Sequence, residues 1–560
     1  EPHRRRRGPS PRPPVMFALD AYAARSCPLK TAHAFSGVEA PPSQATPLVG
    51  AQDFLDQIVR TILAGQASTR DLRGLTDAPS EDQQAACLAA MADGVAVIIG
   101  GLLPRDAEHH RRGRADLLVS DGEGGYLPGI IRFHRTLDLR RDERPFSFSE
   151  LDDLTVPVSR TGWRYRWNWR WTNAVFLAHL WELLGPTGFQ SQRPEGLVIG
   201  TDDLPDHGAV AVRVDLAESA VAAVPGEVAE DLHVSALQRY HREFALRVEL
   251  ATAAAAGPPP SEPYRVPVVS RECGSCRWWP RCQELLDPDD LSLRINKAPL
   301  DRYEITALRS LGVSTLTQLA QAPIEALLAD YLPSVAHRPD AEDRLRLAYR
   351  RSRLLSRGLE LERLTSGPIE LPPAELEIDI DVETSRTDRV YLWGFWIGTG
   401  ADAHYHQFSS FTDLDAAGEL ALAEAAMAWL KQTVAGRDAR VYHYSDYELV
   451  RLHRLADSTT PLMTWAEQYA ESAFVDLFTV VRRNFFGANG LGLKVVAHAG
   501  AGFEWRDEDP GGLNSMGWFE TALTADSAVE REAARERILR YNEDDVRATA
   551  ALRQWLRSLV

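Results

Sequence analysis

The spacing of apolar and polar residues predicts two regions of different architecture along the chain. In the first region, apolar residues recur at helical spacing, and helices with Ala-rich faces are expected within residues 16–110. A β-hairpin is predicted to follow, with Ser120 to Gly125 as its Gly- and Asp-containing turn. The elements predicted here are the helices Asp53 to Leu63, Glu81 to Met91, Asn173 to Leu184 and Leu232 to Thr252, and the strands Arg114 to Val119 and Tyr126 to Phe133.

From Glu375 onward, strands come first and helices alternate afterwards, which is typical of an α/β domain. The strand Glu375 to Thr384 alternates apolar residues with acids, so its acids share one face. These acids are Glu377, Asp379, Asp381 and Glu383. The next stretch, Val390 to Ile397, is apolar nearly throughout, so we expect the acidic strand to be central and buried. Clustered acids at such a place indicate Mg²⁺ or Mn²⁺, because oxygen ligands suit these ions and the charge needs neutralising.

Two more acidic positions follow in the same region. Asp446 and Glu448 stand at the end of an apolar strand, where a helix begins. Tyr541 and Asp545 are four positions apart in a predicted helix and therefore lie on the same face. Each of these signals is weak when taken separately.

Together they resemble the three motifs of the DnaQ-like DEDD exonuclease fold, and in particular its YprB-like branch. The matching segments are Asp381-Val-Glu383, His443-Tyr-Ser-Asp-Tyr-Glu448 and Tyr541-Asn-Glu-Asp-Asp545, within about residues 375–560. The resemblance implies Asp381, Glu383, Glu448 and Asp545 as ligands of two metal ions, and Tyr541 as the residue that positions the attacking water. The family usually has Asp at the second motif, so Asp446 is an alternative to Glu448.

Length and charge limit the classes of protein that remain. At 560 residues the chain is too long for one core, so two or three domains are expected. A net charge of -17 argues against general adhesion to nucleic acid, so any DNA contact must be local. The longest apolar run, around Val95 to Leu103, is shorter than the roughly 20 residues that span a bilayer, so no membrane partner is expected. Residues 1–15 are Arg- and Pro-rich without a following signal-like segment, and we treat them as a disordered extension or a start-site artefact of a cytoplasmic protein.

The cysteines indicate a metal rather than disulfides. Cys273, Cys276 and Cys282 form a C-x2-C-x5-C run that is one ligand short of a tetrahedral site, and Cys27 is the natural fourth. Cys87 falls in a helical apolar pattern and is expected to be a core thiol. One early and three late cysteines resemble the iron–sulfur staple of AddB-type and CRISPR-associated RecB-like nucleases. This resemblance implies a 4Fe-4S cluster, with a structural Zn²⁺ as the alternative.

Residues 16–290 resemble the RecB-like nuclease family, in the segments Ala21 to Pro28, Gly113 to Val119 and Phe133 to Thr136. Such folds cut DNA with an Asp on one strand and a Glu-x-Lys on the next. Asp116 matches the first position, but Ile130 and Arg132 stand where the Glu and Lys belong. Arg cannot replace Lys in proton handling. We therefore expect a weak or inactive site, and Asp116 is otherwise an ordinary acid near a turn.

Nucleic-acid contacts are expected where cations alternate with aromatic residues in Arg160 to Trp171, since such platforms suit single-stranded DNA. The candidates are Arg164, Arg166, Trp167 and Arg170. The alternative is an element that buries its Trp residues while the Arg head groups reach solvent. Ile305 to Leu328 resembles a helix-hairpin-helix element around Leu311-Gly312-Val313, which would offer backbone amides to a phosphate.

These predictions combine into an α/β multidomain chain. Its expected parts are an extension (1–15), a restriction-endonuclease-like RecB domain with the four-cysteine cluster (16–296), a helix-hairpin-helix linker (297–333), a connector (334–374) and an RNase H-like exonuclease domain (375–560). The expected function is metal-dependent 3′→5′ exonuclease action on single-stranded or 3′-ended DNA, in repair or end processing. The alternatives are a catalytically weak DNA-binding module that partners a helicase, and a chain whose N-terminal site still cuts.

Overall fold

The structure is a computed structural model that describes residues 17–42, 50–66, 68–227, 232–257, 266–458 and 460–560. The chain divides into two compact units. The first takes in the chain up to Arg294 together with Leu300–Thr315 and Pro323–Leu345, and the second takes in Ile295–Pro299, Leu316–Ala322 and Arg346–Val560. The predicted extension, residues 1–15, lies outside the described residues.

The helices and strands alternate along the described chain as follows. The helices are α1 (Pro28–Phe35), α2 (Ala51–Gly65), α3 (Ser80–Ala92), α4 (Trp167–Leu184), α5 (Ala236–Ala256), α6 (Trp279–Gln283), α7 (Leu291–Arg294), α8 (Arg302–Ser310), α9 (Leu316–Gln321), α10 (Ile324–Tyr331), α11 (Ala341–Leu355), α12 (Ala416–Val434), α13 (Tyr447–Ala456), α14 (Pro461–Ala473), α15 (Leu477–Asn484), α16 (Leu493–Ala501), α17 (Gly512–Thr524) and α18 (Ala528–Ser558). The strands are β1 (Thr69–Asp71), β2 (Val97–Ile99), β3 (Leu102–Asp106), β4 (Arg111–Arg114), β5 (Leu117–Ser120), β6 (Tyr126–Ile131), β7 (Leu137–Leu139), β8 (Phe146–Glu150), β9 (Asp153–Arg160), β10 (Trp163–Tyr165), β11 (Glu195–Leu204), β12 (Gly208–Asp215), β13 (Ser219–Ala222), β14 (His233–Ser235), β15 (Leu361–Arg363), β16 (Leu376–Thr384), β17 (Val390–Ile397), β18 (His404–Ser409), β19 (Ala439–His443), β20 (Phe474–Asp476) and β21 (Phe485–Gly487).

The first unit is built on an eight-stranded mixed sheet with the order β1-β2-β5-β6-β11-β12-β8-β9. β6 is buried along its whole length and pairs antiparallel with β5 and parallel with β11. The apolar side chains of the sheet separate into two clusters. The larger includes residues of α3, α4 and α5, and the smaller includes residues of α2.

The predicted hairpin is present, since Ser120 pairs with Tyr126 at the turn between β5 and β6. The single strand expected from Arg114 to Val119 is wrong. β4 ends at Arg114 and pairs with β3, and β5 begins at Leu117. The expectation of helices alone up to residue 110 is also wrong, because this region contains β1, β2 and β3. Three-residue apolar runs such as Val97–Ile99 fit a helix and a strand equally well.

The second unit contains a five-stranded sheet with the order β18-β17-β16-β19-β20. β17 is antiparallel to both of its neighbours, β16 and β18, whereas β19 and β20 run parallel to β16. The acidic strand β16 is therefore central and, as predicted, largely buried. One apolar cluster contains residues of β16, α12 and α14, and another contains residues of β19, α15, α16 and α18. The long helix α18 packs against both β16 and β17.

Within the described residues, no helix is both long enough and apolar enough to cross a lipid bilayer.

Candidate active site

The acids on β16 fall into two pairs with different surroundings. The first pair is neutralised by arginines of α18: Arg553 Nη2 lies 2.7 Å from Asp379 Oδ2, and Arg557 Nη2 lies 2.6 Å from Glu377 Oε1. Arg553 also contacts Glu377. Burial raises the pKa of Asp379 to about 6, although Arg553 opposes the shift. This pair therefore joins β16 to α18 as a buried ion-pair network.

The second pair, Asp381 and Glu383, meets Asp545 from α18. Ligand oxygens of the three carboxyl groups all lie within 4.8 Å of one another. Each group accepts a hydrogen bond from a neutral donor rather than from an arginine. The bonds are Asn542 Nδ2 to Asp381 (2.6 Å), Ser515 Oγ to Glu383 (2.6 Å) and Trp505 Nε1 to Asp545 (2.7 Å). We call these three acids the acidic trio.

The electrostatics of the acidic trio are unfavourable without a cation. Burial, together with the charges of Asp545 and Glu383, raises the pKa of Asp381 well above its ordinary value. Burial and the Asp545 charge raise the pKa of Glu383 to about 8. Burial also raises the pKa of Asp545, and the positive charge of Lys494 opposes this shift. Close, desolvated carboxylates of this kind are the donor set that Mg²⁺ or Mn²⁺ requires.

Glu448 lies beside the trio without belonging to it. It sits in the first turn of α13, directly after β19, and is 4% exposed, whereas Asp446 is exposed to solvent. Burial raises the pKa of Glu448, and the charge of Glu448 in turn adds to the raised pKa of Asp381. His443 Nδ1 is 3.7 Å from Glu448 Oε2, and within the described structure that oxygen accepts no hydrogen bond. A buried carboxylate oxygen without a donor fits a metal ligand.

Tyr541 lies on α18 one turn before Asp545. Lys494 Nζ donates a hydrogen bond of 2.9 Å to its hydroxyl and lies 3.7 Å from Asp545 Oδ1. Burial and the neighbouring acids raise the pKa of Tyr541, so its phenol stays protonated. The hydroxyl oxygen accepts from Lys494, and the protonated hydroxyl donates a side-chain hydrogen bond to Asp545.

Gly394 makes the close approach of α18 to the sheet possible. It lies opposite Asp381 in the pairing of β16 with β17. A Cβ atom at this position would stand 1.7 Å from Asn542 Oδ1. Tyr405 Oη donates to the same oxygen over 2.7 Å, so the Asn542 amide is oriented with its NH₂ group towards Asp381.

The sequence alone did not reveal four of these residues. Asn542 could have been noticed because it directly follows Tyr541 in the third motif. Lys494 and Ser515 lie on segments without a recognisable acidic or aromatic pattern. Trp505 lies in the aromatic and acidic run Phe503 to Asp509, but nothing in that run singles out the Trp as a partner of Asp545.

The four cysteines Cys27, Cys273, Cys276 and Cys282 line one pocket of the first unit. Burial and the charges of the other three raise the pKa of Cys282 to about 12. Among the described residues, no three of these sulfur atoms lie within 4.8 Å of one another. Glu272 accepts from the Cys27 backbone N–H over 2.9 Å and pairs with Lys30. Cys87 is fully buried in the apolar core, as predicted.

Asp116 and Arg132 lie together in the first unit. Arg132 Nη1 is 2.9 Å from Asp116 Oδ2, and the same oxygen accepts from the Ile131 backbone N–H over 2.9 Å. Ile130 is fully buried, so the position at which the RecB-like pattern would place a Glu belongs to the core.

The Arg- and Trp-rich stretch forms β10 and the start of α4. Arg164 is exposed, Arg166 Nε lies 2.9 Å from Asp138, and Arg170 Nε donates to the Arg135 carbonyl over 2.9 Å. Trp167 packs against the core, and Trp169 is 62% exposed. The stretch therefore contains one Trp that packs against the core and one that is exposed, and its contact with nucleic acid stays a prediction.

In the predicted helix-hairpin-helix segment, α8 and α9 fall in different compact units. Gly312 between them has a positive φ of 80°, which is the backbone conformation that favours glycine.

Comparison with known families matches residues 378–557 to the RNase_H superfamily. The matched region contains the acidic trio, Glu448 and Tyr541. No curated protein matches the chain, and no solved structure does. The second compact unit therefore carries an RNase H-like domain, a fold that is generally associated with nucleic-acid hydrolysis.

Proposed function

We propose that the chain is a metal-dependent nuclease whose catalytic centre is formed by Asp381, Glu383, Glu448 and Asp545. The observation that carries this proposal is the acidic trio: three carboxyl groups within 4.8 Å of one another, two of them buried and that of Asp381 partly buried, with no arginine partner among the described residues. The arginine-paired acids two and four residues earlier on the same strand show that this chain neutralises structural acids in another way.

The residues present fit a pair of Mg²⁺ or Mn²⁺ ions. Asp381, Glu383 and Asp545 would hold them, and Glu448 would complete the set through its oxygen without a donor. When bound, such ions stabilise charge on the phosphate and make water a better nucleophile. Tyr541 would donate its proton to the attacking water or to a phosphate oxygen, while Lys494 holds the phenol in place. Asn542, Ser515 and Trp505 would orient the carboxyl groups.

We infer 3′→5′ exonuclease action on DNA, in repair or end processing, from the resemblance to DEDD exonucleases. The test compares single-stranded DNA labelled at the 5′ end or the 3′ end, and RNA of the same sequence, with Mn²⁺ present. Stepwise shortening of the 5′-labelled DNA is expected, and Asp381→Asn should abolish it. The matched control is Asp446→Asn, which removes the same charge from an exposed position and should cut normally. Equal cutting by both variants would refute the proposed centre.

The ion pair between Asp116 and Arg132 favours a second candidate for the first unit, a DNA-binding rather than a cutting role. If the whole chain is an assembly module for a helicase in the cytoplasm, the parent protein should bind DNA without cutting it. Cleavage that survives Asp381→Asn but is lost in Asp116→Asn would instead place the chemistry in the first unit.

For the cysteine pocket we propose a 4Fe-4S cluster ahead of Zn²⁺. The four cysteines that line this pocket stand one early and three late in the chain, as in the iron–sulfur staple of RecB-like nucleases, and this resemblance favours the cluster. Either group would supply the positive charge that the thiolates need and would clamp the start of α1 to the segment around α6. We expect chemical analysis to find iron and acid-labile sulfide, and the protein to show an absorption band at about 400 nm. Stoichiometric zinc without iron would refute the cluster.

A further inference from the structure

The surroundings of Asp116 carry excess positive charge rather than a place for a cation. One carboxylate oxygen of Asp116 is shared by Arg132 Nη1 and the Ile131 backbone N–H. The guanidinium of Arg132 therefore already occupies the carboxylate to which a metal ion would have to bind.

Arg132 and a second arginine, Arg25, both lie over the aromatic ring of Phe176. The guanidinium carbon of Arg132 lies 4.9 Å from the centroid of the Phe176 ring, and that of Arg25 lies 5.6 Å from the same centroid. Arg25 also lies 4.6 Å from the ring of Tyr22, which meets Phe176 edge to face. Aromatic faces of this kind orient guanidinium groups and keep them partly desolvated.

Arg25 has no matching negative charge. Within the described ranges no carboxylate forms an ion pair with it, and Asp20 and Glu272 act on it only at a distance. Because Asp116 is paired with Arg132, the two guanidinium groups beside this ring leave one net positive charge.

Further positive charge lies beside this pair. Burial, followed by the charges of Arg170 and Arg132, lowers the pKa of His134 to about 4, so this ring is neutral at physiological pH. The Nε–H group of Arg170 donates a hydrogen bond to a backbone carbonyl. The nearby Arg135 is balanced by Asp202, with 3.1 Å between them, so the excess comes from Arg25 and Arg170.

The geometry points to an anion site in the first unit, at which Arg25 and Arg132 bind a backbone phosphate of a nucleic-acid strand. Guanidinium groups match phosphate oxygens in a planar, two-point geometry, and such pairs are stronger in a partly desolvated setting. The inference rests on the proposed nucleic-acid substrate but not on catalysis at the acidic trio.

The effect of Asp116→Asn on nucleic-acid binding distinguishes this site from a residual metal site. Asp116→Asn removes the carboxylate that competes for Arg132, so binding of a phosphate should become tighter or stay unchanged. A metal site would lose its ligand, and binding that depends on the metal would weaken.

The experiment measures fluorescence anisotropy of a labelled oligothymidylate with the full chain, in EDTA and again in Mn²⁺, each at several salt concentrations. All proteins carry Asp381→Asn so that the probe is not cut. Arg25→Gln and Arg132→Gln are each expected to weaken binding by roughly fivefold to tenfold and to lower the salt slope by about 1. Arg60→Gln, which removes the same charge from an exposed position on α2, should leave both quantities unchanged.

The thermal midpoint of every variant is measured, because Arg132→Gln leaves Asp116 without its partner. If Arg132→Gln does not fold, binding by Arg25→Gln alone tests the anion site, because Arg25 forms no ion pair among the described residues. Binding by Arg25→Gln equal to the parent, loss of binding in Asp116→Asn, or no binding by the parent would each overturn the anion site. Mn²⁺-dependent cutting by the chain with Asp381 intact is scored separately, so failure of the catalytic proposal remains distinguishable.

Discussion

Replacing Asp381 by Asn is expected to make the metal-free protein more stable. The change removes one of three carboxyl groups that crowd each other within 4.8 Å. It keeps the local hydrogen bond, because the new amide still has an oxygen that can accept from Asn542 Nδ2. The shape of the site is nearly preserved, and the main difference is one negative charge.

The size of the effect follows from Coulomb's law. Two full charges 4.8 Å apart repel each other by roughly 3.5 kcal/mol at an effective dielectric constant of about 20. Retained protons relieve part of this repulsion, so we expect a gain of about 1–2 kcal/mol in the free energy of unfolding. For a domain of this size, the thermal midpoint should rise by about 2–4 °C per kcal/mol.

The effect should depend on pH with a defined sign. The folded protein keeps protons on these acids that the unfolded chain releases, because their folded pKa values are raised. Their contribution to stability is therefore present below the ordinary carboxyl pKa and is lost as the pH rises towards about 8, the pKa of Glu383. The advantage of Asp381→Asn should accordingly grow between about pH 5 and about pH 8.

The assay is calorimetric or dye-based melting in EDTA and again in Mn²⁺, following the transition whose midpoint responds to Mn²⁺. With Mn²⁺ the order should reverse, since a ligand at 100 times its Kd stabilises the parent by about 2.7 kcal/mol and the variant has lost a ligand. Asp379→Asn is the contrasting control. It breaks a buried pair with Arg553 and should destabilise the protein by about 3–5 kcal/mol in both conditions. Destabilisation of Asp381→Asn in EDTA would refute the reasoning.

Three further predictions concern other parts of the chain. Gly394→Ala should reduce cleavage strongly because its Cβ would stand 1.7 Å from an amide oxygen of the site, whereas Gly517→Ala, with open space around it, should cut normally in the same assay. Lys494→Met should move the acidic limb of the cleavage pH profile to higher pH, because Lys494 lowers the pKa of the acidic trio; an unchanged limb would contradict this role. Cys282→Ser should lose the bound metal and lower the melting midpoint of the first unit, while Cys87→Ser should keep its metal content in elemental analysis.

The sequence predicted the acidic strand and its burial because alternation with a period of two residues is a local property. It did not distinguish Asp379 from Asp381, since the difference lies in Arg553, which is distant in sequence and reaches only one of them. It also left Asp446 and Glu448 as alternatives. Their burial is decided by where α13 begins, and helix boundaries are poorly determined by local pattern.

In the first unit, the hairpin was predictable from its turn residues, whereas the break between β4 and β5 was not. Ala115 and Asp116 are both weak strand formers, but two such residues do not by themselves show that one strand ends and another begins. The break becomes visible only once β4 pairs with β3 and β5 pairs with β2. Pairing of this kind depends on segments that are separated in the chain, and short apolar runs do not encode it.

The arginine-paired acids of β16 have a consequence for how the proposed catalytic centre is assembled. Arg553 and Arg557 join the last turns of α18 to the strand that carries two acids of the trio, and the third, Asp545, lies about 12 Å earlier on that helix. The helix is thus anchored at one end against the repulsion acting near its middle. The three carboxyl groups are therefore held near one another before any cation binds, and a bound ion would not have to draw the strand and the helix together.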